Sequence, residues 1–243
     1  MLASMLQRFG RLLLLALVFA AGAWTYSTGF IDEFMWHWPD VQYLTMQHIW
    51  LTAMSGSLAI AVGIPLGIVL SRPGMAKVAE SIMQVLNVGT TIPTLAVLAL
   101  SMSFLGIGTV PAVFGLFVAT LLPITRNTFT GLAGISPALL EAAAGIGMSP
   151  MQRLFRVELP NALYVIFAGI RTALTINVGT VPLAFLIGAG GLGELIFTGI
   201  DLFDPAMMLA GAIPTAMLAI AVDASIALIA FLVVPRGVNP NRA

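Results

Sequence analysis

The chain has 243 residues, of which 59% are hydrophobic and 8% charged, with ten basic and ten acidic side chains cancelling to zero net charge. Its mean hydropathy is +1.04. A soluble globule of this length carries about a quarter of its residues as charges, so the composition excludes a water-soluble fold and specifies a polytopic membrane protein. The absence of Cys excludes a disulfide framework, two histidines (His37 and His48) leave no basis for a His-based metal cluster, and the neutral charge argues against nucleic acid as a partner.

Crossing the hydrocarbon core takes roughly 20 apolar residues. Six stretches qualify, near 12–30, 48–70, 78–104, 110–128, 162–187 and 206–234, and they predict an all-α bundle filling 1–243 as a single transmembrane domain. The first stretch, with Arg8, Arg11 and Ala21-Gly22-Ala23, also imitates a signal peptide with its cleavage site; its removal would leave five spans in the same orientation. Trp24, Trp36, Trp38 and Trp50 fall at the outer ends of the first two spans, as an interfacial aromatic belt requires. Gly63 and Gly67 form a GxxxG pair suited to close helix packing. In the third stretch, Pro93 should kink the helix and free backbone carbonyls.

Orientation follows from the basic residues. Arg8 and Arg11, Arg72 and Lys77, Arg126, Arg153 and Arg156, and Arg236 and Arg242 occupy alternate loops, which the positive-inside rule assigns to the cytoplasm together with both termini. The opposite loops hold Asp32, Glu33, Asp40, Glu194, Asp201 and Asp204 and no Lys or Arg.

Between the fourth and fifth spans lies the polar stretch Glu141-Ala142-Ala143-Ala144-Gly145-Ile146-Gly147-Met148-Ser149-Pro150-Met151-Gln152-Arg153-Leu154-Phe155-Arg156-Val157-Glu158-Leu159-Pro160. Ser136-Pro137 and Ser149-Pro150 each suit an N-cap followed by a first helical residue, so two short helices separated by Gly145 and Gly147 are expected. Glu141, Arg153 and Arg156 keep the segment wet. Its residue types and spacing, EAA to Leu-Pro, resemble the cytoplasmic EAA loop of importer permeases of the ATP-binding-cassette class. That resemblance implies a type I importer permease fold with a coupling loop at about 129–160. Glu141, Ala142, Ala143, Gly147, Ser149, Arg153, Leu159 and Pro160 would then meet a groove of a separate ATPase.

Toward the outer end of the fifth span, Gly188, Gly190, Gly191 and Gly193 spell GxGxxG. A dinucleotide fingerprint needs a strand–turn–helix unit. Here the glycines follow an apolar span, where they permit a re-entrant turn or close helix contact. The run from Val157 to Thr180, with Arg171-Thr172-Ala173 and Asn177-Val178-Gly179-Thr180, and the Gly89-Thr90-Thr91-Ile92-Pro93-Thr94 segment resemble permeases that import glycine betaine, choline, carnitine and related compatible solutes. The resemblance spans about 48–234. It implies that the Gly-rich turn belongs to an outer gate and that Thr90, Thr91, Pro93, Asn177 and Thr180 border the pathway. The structural alternative is helix–helix hydrogen bonding by the Thr and Asn side chains.

The same resemblance implies the partners: a cytoplasmic ATPase dimer carrying ATP and magnesium, a second permease that is identical or homologous, an extracytoplasmic solute-binding protein, and the bacterial inner membrane around them. No cofactor is expected in this chain. The only Lys is Lys77, preceded by Ala76, so no GxxxxGK[ST] phosphate loop exists here. Methionine permeases share the EAA loop and the Gly-rich turn, and a channel remains the reading of another class. Two charges, Arg171 and Asp223, fall at matched depth inside adjacent spans; an unpaired charge there is costly, which predicts an ion pair, with snorkelling of Arg171 as the alternative.

Overall fold

The computed structural model describes residues 29–89 and 91–238, together with isolated positions between 15 and 27. Most of the expected first span, with Arg8, Arg11 and Trp24, and also Thr90 and Arg242, lie outside the described residues.

Every regular element among the described residues is helical. In chain order these are α1 (Phe30–Trp36), α2 (Trp38–Leu70), α3 (Ala76–Gly89), α4 (Thr94–Leu105), α5 (Thr109–Ala133), α6 (Pro137–Gly145), α7 (Pro150–Arg153), α8 (Leu159–Thr180), α9 (Gly193–Asp201) and α10 (Pro205–Val233). A π-helical turn, Leu154–Glu158, joins α7 to α8, and a 3-10 segment, Val181–Ile187, extends α8. Four continuous runs are long and apolar enough to cross a membrane: α2, α5, Pro150–Ile187 and α10. The bent pair α3 and α4 brings the number to five, so the chain is a multi-pass membrane protein.

Three boundaries differ from expectation, each for a local reason. The third stretch, 78–104, is not one span: α3 and α4 meet at 100° across the break that Pro93 closes as the N-cap of α4. Proline offers no N–H and forces the residue before it out of the α region, so the helix stops there rather than kinking. The second span starts at Trp38 instead of near 48, because Pro39 and the first-turn Asp40 favour a helix start well before hydropathy peaks. The fifth span starts at Pro150 instead of 162. Pro160 is accommodated without interruption because the preceding turn is widened, with the Leu159 N–H donating back to the Leu154 carbonyl.

The bundle is held by α2 on α5, α5 on α8 and α8 on α10. Ala59, Ile124, Leu132, Ala162, Ile166, Ile170 and Ala173 form its central core. Gly67 brings α2 against α5 at backbone distance: a Cβ there would lie 2.6 Å from Thr128 and 2.8 Å from the Thr125 carbonyl oxygen. This is the packing that the GxxxG pair implies. Helix α10 opens on Asp204, whose carboxylate accepts from the Ala206 and Met207 N–H groups at 3.0 Å. Its most apolar stretch buries no residue among the described residues, so much of its surface is open to lipid, another subunit or the rest of the chain.

Candidate functional site

At one end of the bundle, α6 and α7 form the segment that carries the EAA pattern. Ser136 and Ser149 are the N-caps of α6 and α7, with Pro137 and Pro150 at the first helical positions. Ser149 closes a capping box: its Oγ accepts from the Gln152 N–H at 3.3 Å, and Gln152 Oε1 accepts from the Ser149 N–H at 2.9 Å. Helix α6 ends on Gly147, at φ 81°, with the Gly147 N–H donating to the Ala144 carbonyl and the Met148 N–H to Ala143. This left-handed termination turns the chain sharply into α7 and requires glycine or a residue that tolerates the same φ. Glu141, Ala142 and Gly147 are exposed, and Ala143 is buried. Ile146, Met151 and Phe155 are more than 60% exposed, which gives this segment an apolar outer surface that none of the described residues covers.

The same segment contributes to an ion triad that spacing alone did not predict. Glu158 is buried, and its carboxylate accepts from Arg72 Nη2 at 2.6 Å and from Arg153 Nε at 2.9 Å. Arg72 comes from the turn after α2. Two of the basic loops assigned to one side of the membrane therefore do lie at one end of the bundle. Leu159 and Pro160 open α8 directly behind the triad.

Along the middle of the bundle, α2 presents a buried polar ladder to α8. Asn177 Nδ2 donates to Ser55 Oγ at 2.8 Å, and Ser55 Oγ donates to the Leu51 carbonyl at 2.7 Å. His48 is fully buried, and its Nε2 donates to the Val178 carbonyl at 3.0 Å. Asn177, 1% exposed, thus braces α8 against α2. The hydroxyl of Thr180 returns to the Asn177 carbonyl at 2.9 Å. Thr91 is exposed in the break between α3 and α4, where its Oγ1 donates to the Val88 carbonyl at 2.7 Å, and Pro93 is exposed beside it.

At the opposite end, the chain doubles back through Gly188, Gly190 and Gly191, with φ of 79°, 77° and 84°. The Gly191 N–H donates to Gln47 Oε1 at 3.0 Å, which pins the turn to α2. Any Cβ on Gly193 would run into the Pro182 carbonyl, so the returning helix α9 packs directly on backbone.

The two intramembrane charges come together. Arg171 of α8 grips Asp223 of α10 through both Nε and Nη2, one to each carboxylate oxygen, and Thr175 Oγ1 donates to Asp223 Oδ1 at 3.4 Å.

Residues 63–236 match the family of binding-protein-dependent transport system inner membrane components. Over 188 residues the chain is 54% identical to the osmoprotectant import permease protein OsmY of Salmonella typhimurium, covering 77% of this chain and 80% of that one. Over 200 residues it is 42% identical to the choline transport system permease protein OpuBB of Bacillus subtilis, covering 82% and 91%. Its fold is similar to a chain of the MetNI methionine ABC transporter solved in an inward-facing conformation, with a TM-score of 0.71, 26% identity and coverage of 80% and 98%. A multi-pass helical bundle with an EAA segment, matched over most of its length by that family, places the chain among the inner membrane components of binding-protein-dependent transport systems.

Proposed function

We propose that this chain is the permease subunit of an ATP-driven importer of compatible solutes such as glycine betaine, choline or carnitine. The observation that carries the reading is the apolar, uncovered coupling segment on a chain 54% identical to an osmoprotectant import permease. The solute class comes from the relatives, and the coupling role from the segment itself. ATP with magnesium belongs to a separate ATPase dimer at the cytoplasmic face of the bacterial inner membrane. A second permease, identical or homologous, completes the pathway, and a solute-binding protein delivers cargo from outside.

In this reading Glu141, Ala142, Gly147 and Ser149 meet the ATPase groove, while buried Ala143 holds the segment to the bundle. When the ATPases close, they pull α6 and α7. Helix α7 is continuous with α8 through the π turn, so the pull travels along the span itself, and the Glu158 carboxylate carries it to Arg72 and the end of α2. The glycine turn at 188–193 serves as the outer gate at the far end of the same span. Thr91 and Pro93 border the pathway where the broken helix exposes backbone.

Coupling is tested with Glu141→Lys and Gly147→Asp. A reversed charge or a bulky carboxylate on the docking surface should leave the protein inserted while weakening ATPase association or separating hydrolysis from uptake. Wild-type uptake and wild-type ATPase stimulation in both variants would contradict the interface.

A further inference from the structure

The Arg171–Asp223 pair does not sit in the core. Together with Tyr164, Phe167, Thr175 and Phe231 it lines a crevice of about 560 Å³ between α8 and α10. Side-chain exposure is 48% for Arg171 and 33% for Asp223. Both lie far from helix ends: Asp223 is about ten residues, or roughly 15 Å, from the end of α10 at 1.5 Å per residue. Half-exposed charges at that depth are incompatible with a lipid-facing surface, because hydrocarbon satisfies none of the free N–H and carboxylate valences. The face therefore meets water or another subunit, and the crevice leaves room beside the pair for a ligand.

We propose that this crevice is an intramembrane binding site for the transported solute, built for a zwitterion that carries a carboxylate and a methylated ammonium. The proposal rests on the solute class argued above. Asp223 occupies Nε and Nη2 of Arg171, and among the described residues no partner is placed on Nη1, whose donors can take a solute carboxylate. A methylated ammonium donates no hydrogen bond, so it is recognised by charge and by aromatic faces. Asp223 supplies the charge, and Tyr164, Phe167 and Phe231 supply the rings. The paired site has no net charge, so it orients a net-neutral solute without trapping it, as transport requires. Choline, which lacks the carboxylate, would use Asp223 and the rings but not Arg171.

The test uses the complete transporter, with its ATPase and binding protein, in proteoliposomes. The chain has no native Cys, so Thr172→Cys, at a position lining the crevice, reports access of a membrane-impermeant sulfonated thiol reagent from the cytoplasmic side. The site predicts labelling that saturating glycine betaine slows at least about threefold, by direct occlusion. The neutral double variant Arg171→Gln/Asp223→Asn should raise the KM for glycine betaine at least about tenfold, through loss of its charge-assisted contacts, while ATP hydrolysis stimulated by the binding protein persists. Absence of labelling in every nucleotide state would mean a sealed interface or a lipid face and would overturn the site. Labelling that the solute does not slow, or a wild-type KM in the double variant, would overturn it too. A wild-type transporter that imports methionine and none of the three compatible solutes contradicts the functional reading; one that imports glycine betaine with Thr172→Cys unprotected contradicts the site alone.

Discussion

Arg72 Nη2 and Glu158 Oε2 lie 2.6 Å apart, joining the turn after α2 to the head of the fifth span. Arg153 shares the same carboxylate, whose side chain is 5% exposed, while the two guanidinium groups keep 29% and 26% exposure. A carboxylate this buried is held by its partners, and removing it strands two positive charges.

Glu158→Gln is therefore expected to lower the stability of the detergent-solubilised protein by about 2–3 kcal/mol, under the 3–5 kcal/mol of a fully buried pair because the arginines retain water. Arg72→Gln should cost less, since Arg153 still neutralises Glu158. Thermal or denaturant unfolding of the purified variants measures the order, and equal losses in the two would contradict the triad.

The Arg171–Asp223 pair makes a different demand. Arg171→Gln and Asp223→Asn should each reduce the yield and thermal stability of folded protein, and the double variant should recover part of the loss. Groups in direct contact couple, whereas independent sites add. Strictly additive shifts in detergent would mean two separately solvated charges.

Membrane orientation supplies a third prediction. Reporter fusions after Gly74, Gly134 and Arg242 should report the cytoplasm, and fusions after Asp40 and Asp201 the outside, because the Arg and Lys residues flanking the spans cluster at alternate loops. An external signal at Gly134 would remove the coupling segment from the side where ATP is hydrolysed.

The local structure of the EAA segment was readable residue by residue because its signals are local. Ser-Pro at 136 and 149 starts both helices, and a glycine at 147 ends the first. The Arg171–Asp223 pair was readable for a global reason: the membrane leaves a charge within a span few options, and only one opposite charge lay at matching depth. The Glu158 triad was not, because an ion pair between loops remote in the chain leaves no periodic trace. The break before Pro93 was half readable. Proline announced a disturbance, but hydropathy runs unbroken through 78–104 and hid a turn of 100°. The polar residues of the span were legible only in type: Asn177 read as a pathway group or as a helix–helix hydrogen bond, and its Nδ2 donates to Ser55. Side-chain type identifies a polar position but not the helix it faces.

The proposed transport activity is measured most directly as ATP-dependent uptake by proteoliposomes holding this permease with its ATPase and binding protein, using labelled glycine betaine, choline, carnitine and methionine in competition. A compatible-solute importer gives uptake of at least one of the three compatible solutes, dependent on both partners, abolished without ATP, and not displaced by methionine. Uptake of methionine alone, or solute flux that continues without the ATPase as through a channel, would contradict it.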